Sequence, residues 1–276
     1  MRAGTARLIV CSALLIISGV LLAACNLDDD PAGNFTPAED NVLTVVTQPF
    51  PTAGFWEGTA AHPTGGFEYA MAEELADRLG LDGINIKTTS FSNIVKGEMD
   101  GADVALSLIT PTSEREAKLD FTTPYLYSTQ ALLVRSGTEV PDLKTAQQML
   151  FAVGRDTTLE DFVDQEIRPD LEPLRFENRE RQIEAVTSGR ADVAVFDLAA
   201  AQAIVNEDDR LAIAAQLNDP EPIAAALPKG SGNSEAIGSA LRAMETDGTI
   251  DRLSAEWLGT SLSDVADNTP LLRTGP

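Results

Sequence analysis

The sequence predicts an α/β protein built as two lobes joined by two connecting segments, and three observations predict it. Strand and helix signals alternate from residue 42 to about residue 110. The same alternation begins again after Gly137. Two extended apolar segments, Thr129–Val134 and Pro222–Leu227, lie between the halves, where two crossings of a hinge would be needed. Alternating strands and helices imply a mostly parallel sheet with helices on its faces.

The elements follow in order. Val42–Val46 is a short β-branched run suited to a buried strand. Phe67–Leu79 repeats Phe67, Met71, Leu75 and Leu79 every fourth residue, the spacing of one helix face, and Gly80 is placed to end it. Ile84–Thr88 reads as a strand, Ile94–Met99 as a short helix and Val104–Ile109 as a strand. In the second half, strands are expected at Phe151–Val153, Leu174–Phe176 and Val193–Phe196, with helices at Leu159–Gln165 and Arg179–Thr187. Helices at Ser234–Glu245 and Thr249–Leu258 close the pattern.

The N-terminus has the layout of an export signal. Arg2 and Arg7 precede an uncharged apolar run, Leu8–Ala24, which ends in Leu22-Ala23-Ala24-Cys25. That ending resembles the bacterial lipobox, in which small residues fit the signal peptidase and the cysteine thiol carries lipid. Of the two cysteines, Cys11 falls in the segment to be removed and Cys25 would be acylated, so the mature body is expected to hold no thiol chemistry. One histidine, His62, excludes a multi-histidine metal site, and no cofactor is expected. Net charge is −23, and removing residues 1–24 takes away two arginines and no acid, giving −25. Such a surface repels phosphate backbones, so nucleic acid is not an expected partner. Residues 26–41 are polar, acidic and broken by Pro and Gly, which reads as a tether.

Six stretches, in order, carry a family likeness: GGFEYAMAEELADRLG (65–80), DVALSLITPTSERE (103–116), LDFTTPY (119–125), DTTLEDF (156–162), GRADVAVFD (189–197) and DGTIDRLSAEWLG (247–259). Together they resemble the bacterial extracellular solute-binding proteins of family 3, over about residues 42–260. The resemblance implies the two-lobed type II periplasmic-binding-protein fold with two hinge crossovers. The chain would then divide into a signal peptide (1–24), a tether (25–41), a first lobe (42–133), a second lobe (134–222), a return to the first lobe (223–262) and a tail (263–276).

An amino-acid zwitterion needs a bidentate cation and N–H donors for its carboxylate, and a carboxylate for its ammonium. The family's TxTxxR stretch matches Thr110-Pro111-Thr112-Ser113-Glu114-Arg115. By that resemblance Arg115 clamps the α-carboxylate, Thr110 donates to it, and the Leu108 carbonyl accepts from the ammonium. Without the surrounding match, Arg115 would read as an exposed arginine paired with Glu114 or Glu116. Thr157 and Thr158, at a helix start, would complete the carboxylate site or serve simply as caps. Just before them the family usually has Gly; here it is Asp156, whose side chain would have to turn away, toward Arg155 for instance. Asp197, at a strand end, would hold the ammonium or cap the helix that follows. Phe91 matches a pocket phenylalanine of the family. Phe55 and Trp56 could wall the pocket or pack their own loop, and Gln48 falls where members taking cationic side chains commonly show aspartate. The family's GFDxD becomes Gly66-Phe67-Glu68-Tyr69-Ala70, losing its second acid.

The expected function is an amino-acid receptor: a monomer, held to the membrane by its lipid and passing ligand to the permease subunits of an ABC importer. An enzyme on the same scaffold, of the cyclohexadienyl-dehydratase kind, or a ligand-sensing ectodomain would fit the same stretches.

Overall fold

The computed structural model describes residues 35–259 and 269–273. The export segment, Cys25 and the first part of the tether lie outside the described residues. In chain order the elements are β1 (Leu43–Thr47), β2 (Glu57–Thr59), β3 (His62–Gly65), α1 (Phe67–Arg78), β4 (Ile84–Thr88), α2 (Phe91–Val95), β5 (Val104–Ile109), α3 (Ser113–Glu116) and β6 (Leu119–Arg135). The second half follows with α4 (Leu143–Gln147), β7 (Phe151–Gly154), α5 (Thr158–Phe162) running into a π-helical turn (Val163–Ile167), β8 (Leu174–Phe176), α6 (Arg179–Thr187), β9 (Val193–Asp197) and α7 (Leu198–Glu207). Then come β10 (Leu211–Pro228), α8 (Ser234–Thr246), α9 (Thr249–Leu258) and β11 (Leu271–Leu272).

Among the described residues one nine-stranded sheet runs β4-β1-β5-β10-β6-β9-β7-β8, with β11 beside β10, and β2 and β3 form a separate hairpin. The outer strands pair in parallel, β4 with β1 and β1 with β5 on one side, β9 with β7 and β7 with β8 on the other. The two connecting segments are parts of β6 and β10, strands of 17 and 18 residues that pair antiparallel along their whole length. A usual strand is about 5–6 residues. These two are long because each serves both lobes: β5 pairs with β10 at Ala224 and Ala226, while β9 pairs with β6 at Gln130–Val134.

Both faces of each lobe are covered, so the strands read as continuous apolar runs that still alternate in direction. Along β5, Val104, Leu106 and Leu108 enter a core shared with α1, α8 and α9, while Ala105 and Ile109 enter the one under α2. Along β9, Val193 and Val195 face one core of the second lobe, and Ala194 and Phe196 face the other. α1 buries Phe67, Met71 and Leu75 as its spacing predicts. The two glycines before it are required by close approach. A Cβ at Gly65 would lie 2.0 Å from the Trp257 ring, and one at Gly66 would lie 2.2 Å from the Phe55 carbonyl oxygen.

Several elements differ locally from their sequence pattern. The helix expected at Ile94–Met99 begins at Phe91, because the Ser90 hydroxyl caps it by accepting from the Asn93 N–H at 3.2 Å. It ends early because Gly97 takes a left-handed conformation (φ 85). The Leu159–Gln165 helix starts one residue sooner and opens into the π-helical turn. α7, an alanine-rich segment, is a helix that the sequence reading does not contain. Residues 35–41, read as the end of the tether, are fastened to the body: the Ala38 N–H donates to Asp103 at 2.8 Å, and the Thr36 backbone exchanges two hydrogen bonds with the Asn233 side chain. Among the described residues no helix is long and apolar enough to cross a membrane.

Candidate functional site

The C-terminal ends of the parallel strands in both lobes converge on the cleft between them, the usual position for ligands of open α/β sheets. β1 delivers Gln48, β5 delivers Leu108 and Thr110, the start of α2 delivers Phe91, the turn after β7 delivers Thr157 and Thr158, and β9 delivers Asp197. With Arg115 and Arg179 these residues line one cavity of about 310 Å³, open mouth included. Of the sequence-predicted site residues that are described, all but Phe55 and Trp56 therefore meet in one place.

Arg115 sits in α3, whose N-cap Thr112 accepts from the Arg115 N–H at 3.2 Å. Its side chain is pulled inward, leaving the residue 7% exposed. Nη1 donates to the Thr110 carbonyl at 2.7 Å, and Nη2 crosses the cleft to the Asp156 carbonyl at 2.9 Å. The guanidinium lies 5.2 Å from the centre of the Phe91 ring, a cation–π distance. No ion pair joins it to Glu114 or Glu116; Glu114 pairs with Lys118 at 2.8 Å instead. Burial pushes the pKa of Arg115 down, and the acids Asp161 and Glu221 oppose that shift.

Asp156 takes the left-handed conformation (φ 58) that glycine adopts at no cost, so an acid can occupy this corner. Its N–H donates to Glu160 Oε2 at 2.7 Å. Its carboxylate turns away from Arg115, but toward Lys96 at 3.7 Å rather than toward Arg155, which pairs with Glu177 at 3.2 Å. The two threonines that follow divide their work. Thr157 is the N-cap of α5, accepting from the Glu160 N–H at 3.0 Å and donating to the Gly154 carbonyl at 2.8 Å. Thr158 points its hydroxyl into the cleft, where it donates to Glu221 Oε2 at 3.2 Å.

Asp197 stands at the N-cap position of α7 but makes no capping bond. It is 8% exposed. Burial raises its pKa to about 6, against the pull of Arg179 and with a further push from Glu221. Arg115 and Asp197 thus reach one cavity from α3 and β9, on opposite sides of β6 and β10.

Phe55 and Trp56 are corrections. They are 0% and 1% exposed, inside the first-lobe core and away from the cavity. The reason is an unforeseen carboxylate. Glu68 lies on the buried face of α1, fully enclosed, and accepts from Trp56 Nε1 at 2.7 Å, from the Leu108 N–H at 2.8 Å and from the Tyr125 hydroxyl. Burial raises the pKa of Glu68, and these three donors oppose that rise. The indole is drawn to the acid, and Phe55 packs edge-on to Phe67 at 5.9 Å.

Sequence reasoning missed Glu221 and Arg179. Between Leu217 and Glu221, three residues of β10 oppose the single Thr129 of β6, and the bulge directs Glu221 at the cleft. Its Oε2 accepts from Thr158 and, at 3.4 Å, from Thr110, the hydroxyls expected to hold a ligand carboxylate. The flanking Pro220 and Pro222 mark an interruption of the strand but give no hint of that direction. Arg179 opens α6 amid Glu177, Glu180 and Arg181, a run that reads as a solvated helix start.

The sequence profile of the bacterial extracellular solute-binding proteins, family 3, matches residues 43–260. The L-cystine-binding protein TcyJ of Escherichia coli (strain K12) is 28% identical over 204 residues, covering 72% of this chain and 76% of its own. The glutamine-binding protein GlnH of an ABC transporter in Bacillus subtilis (strain 168) is 25% identical over 199 residues, 70% of this chain and 72% of its own. Among solved structures, an ancestral arginine-binding protein bound to glutamine superimposes with a TM-score of 0.72 at 27% identity, covering 80% of this chain and 99% of that one. The names of these three relatives describe binding proteins.

Proposed function

Since this chain belongs to the bacterial extracellular solute-binding proteins of family 3, we propose that it captures an amino acid between its lobes and presents it to the permease of an ABC importer. The observation that carries this reading is the single cavity lined by Arg115 and Asp197, opposite charges from opposite sides of the two long strands. Arg115, with the Thr110 and Thr158 hydroxyls, receives the α-carboxylate. Asp197, with the Leu108 carbonyl, receives the α-ammonium. Phe91 and Gln48 wall the remainder. In sequence the lipobox-like Leu22-Ala23-Ala24-Cys25 supports removal of residues 1–24 and a lipid on Cys25, with the monomeric body held at the outer face of the membrane.

β6 and β10 act as the hinge. Among the described residues, few polar contacts join the lobes at the cleft: Arg115 to the Asp156 carbonyl, the Thr110 and Thr158 hydroxyls to the shared Glu221 carboxylate, Ser92 to Glu177 at 3.4 Å, and Lys96 to Asp156 at 3.7 Å. The last joins two half-exposed side chains, a kind of pair worth about 0–1 kcal/mol. A zwitterion bonded to both lobes adds to these links only in the closed form, and so shifts the population toward it. Calorimetry across the twenty amino acids and cystine tests the reading; an Arg115-independent ligand, or none, would overturn it.

Two predictions arise here. Asp197 must be ionised to hold an ammonium, and its pKa of about 6 sets the window. Affinity is expected to fall as pH drops through 6, by about tenfold between pH 7 and pH 5, in calorimetric titrations. The stability of the ligand-free protein moves oppositely. The folded state holds this proton more tightly than the unfolded chain, so the group's contribution is full below its ordinary value of 3.8 and is lost as pH rises through 6. Glu221, for its part, occupies the hydroxyls a ligand carboxylate needs and repels that carboxylate. Glu221→Gln removes the charge and is expected to tighten amino-acid binding by roughly tenfold, read by the same titration.

A further inference from the structure

The cavity at Asp197 adjoins a second one of about 360 Å³, which extends into the second lobe past Phe176, Gln182 and Phe196. Arg179 lines both. The residue is half-buried, its Nη1 is enclosed, and its guanidinium lies 5.4 Å from the centre of the Phe196 ring. Its Nη1 has no hydrogen-bond partner, and among the described residues no carboxylate comes within 4.0 Å of it. Asp197 and Glu68 act on it only at longer range. The neighbouring cations differ. Arg115 donates to two carbonyls, and Arg155 is paired with Glu177.

An enclosed guanidinium nitrogen with no partner is costly, and such groups in native proteins call for a reason. Docking of α6 does not supply one. Gln182 already ties that helix to the sheet, donating to the Ala152 and Val195 carbonyls at 3.1 Å each. Nor can Asp197 neutralise Arg179 and a ligand ammonium at once. With a zwitterion head between Arg115 and Asp197, Arg179 is left as a positive charge facing the ligand's far end.

We propose that Arg179 is a specificity-determining residue that selects amino acids whose distal end carries a second carboxylate. The inference rests on the head-group reading above and extends it to the side chain. Two sources share this chemistry: an acidic side chain, as in glutamate and aspartate, or a second amino-acid end, as in cystine.

The test is calorimetry on the full-length protein with L-glutamate, L-aspartate, L-cystine, L-glutamine and L-arginine. At least one of the first three is expected to bind about a hundredfold more tightly than glutamine. A preference for glutamate or aspartate identifies an acidic side chain, and a preference for cystine identifies a second amino-acid end. Arg179→Gln is expected to erase that preference, read as the ratio of the affinity for the favoured ligand to that for glutamine, and Arg179→Lys to keep part of it. The ratio between ligands separates selection from a general structural effect, and the melting temperature of each ligand-free variant checks folding. Should Arg179→Gln not fold, the parent's preference together with Arg179→Lys decides the matter. A parent that favours glutamine or arginine, or a preference unchanged in Arg179→Gln, overturns the proposal and leaves the head-group reading standing. Failure to bind any of the five overturns this proposal, and failure with cystine and all twenty amino acids overturns both.

Discussion

Arg115→Ala is expected to weaken amino-acid binding by more than about a hundredfold while the protein still folds. The guanidinium is the buried cation of the cavity wall that already bridges the lobes, through the Thr110 and Asp156 carbonyls. Removing one partner of a desolvated, hydrogen-bonded charge pair costs on the order of 2–5 kcal/mol in binding. Stability should fall as well, without unfolding the protein. The two carbonyl bonds come from a charged donor and are worth about 3–6 kcal/mol together, and removing a buried charge returns part of that. Arg115→Lys keeps the charge but not the planar fork, so it should recover only part of the affinity. Titration calorimetry paired with thermal unfolding separates the outcomes. Binding that survives in Arg115→Ala would remove the carboxylate assignment.

Glu68→Ala is expected to show the largest loss of stability. The carboxylate gathers the Trp56 indole, the Leu108 N–H and the Tyr125 hydroxyl, from the loop after β1, from β5 and from β6. Without it the Leu108 and Tyr125 donors lose their partner inside the core, whereas Trp56 Nε1 keeps the Leu106 carbonyl at 3.2 Å. Each stranded buried donor costs about 1–3 kcal/mol, and the missing side chain leaves a cavity. The total is about 3 kcal/mol or more, which for a body of this size lowers Tm by roughly 6–12 °C. Glu68→Gln should lose less, because its carbonyl oxygen still accepts. Leu108 holds a left-handed φ of 52 just before Thr110. Binding should therefore weaken in Glu68→Ala along with stability. A melting temperature within about 2 °C of the parent would contradict this account.

Local pattern settled most of the secondary structure. The β5 strand Val104–Ile109, the α6 helix Arg179–Thr187 and the α9 helix Thr249–Leu258 stand where their periodicity put them, because apolar spacing is set by the neighbours an element must cover. α2 moved because a capping serine before its expected start and a left-handed glycine after it outweighed its apolar residues. The six family stretches hold Arg115, Thr110, Leu108, Asp197, Thr157 and Thr158, which line one cavity together with Phe91 and Gln48. What they could not convey was the direction of side chains whose partners are distant in sequence. Trp56 turns into the core to meet Glu68, 12 residues on, and Glu68 in turn meets Tyr125, 57 residues on.

By itself, then, the sequence determined most of the strand and helix order, the doubled α/β pattern and the charged residues that a zwitterion requires. Tertiary structure alone decided that β6 and β10 are single long strands, that Glu221 and Arg179 turn into the cleft, and that Phe55 and Trp56 turn away from it. Periodicity records which face of an element is apolar. The fate of a polar side chain depends on burial and on partners contributed by other elements, and these exist only once the chain has folded.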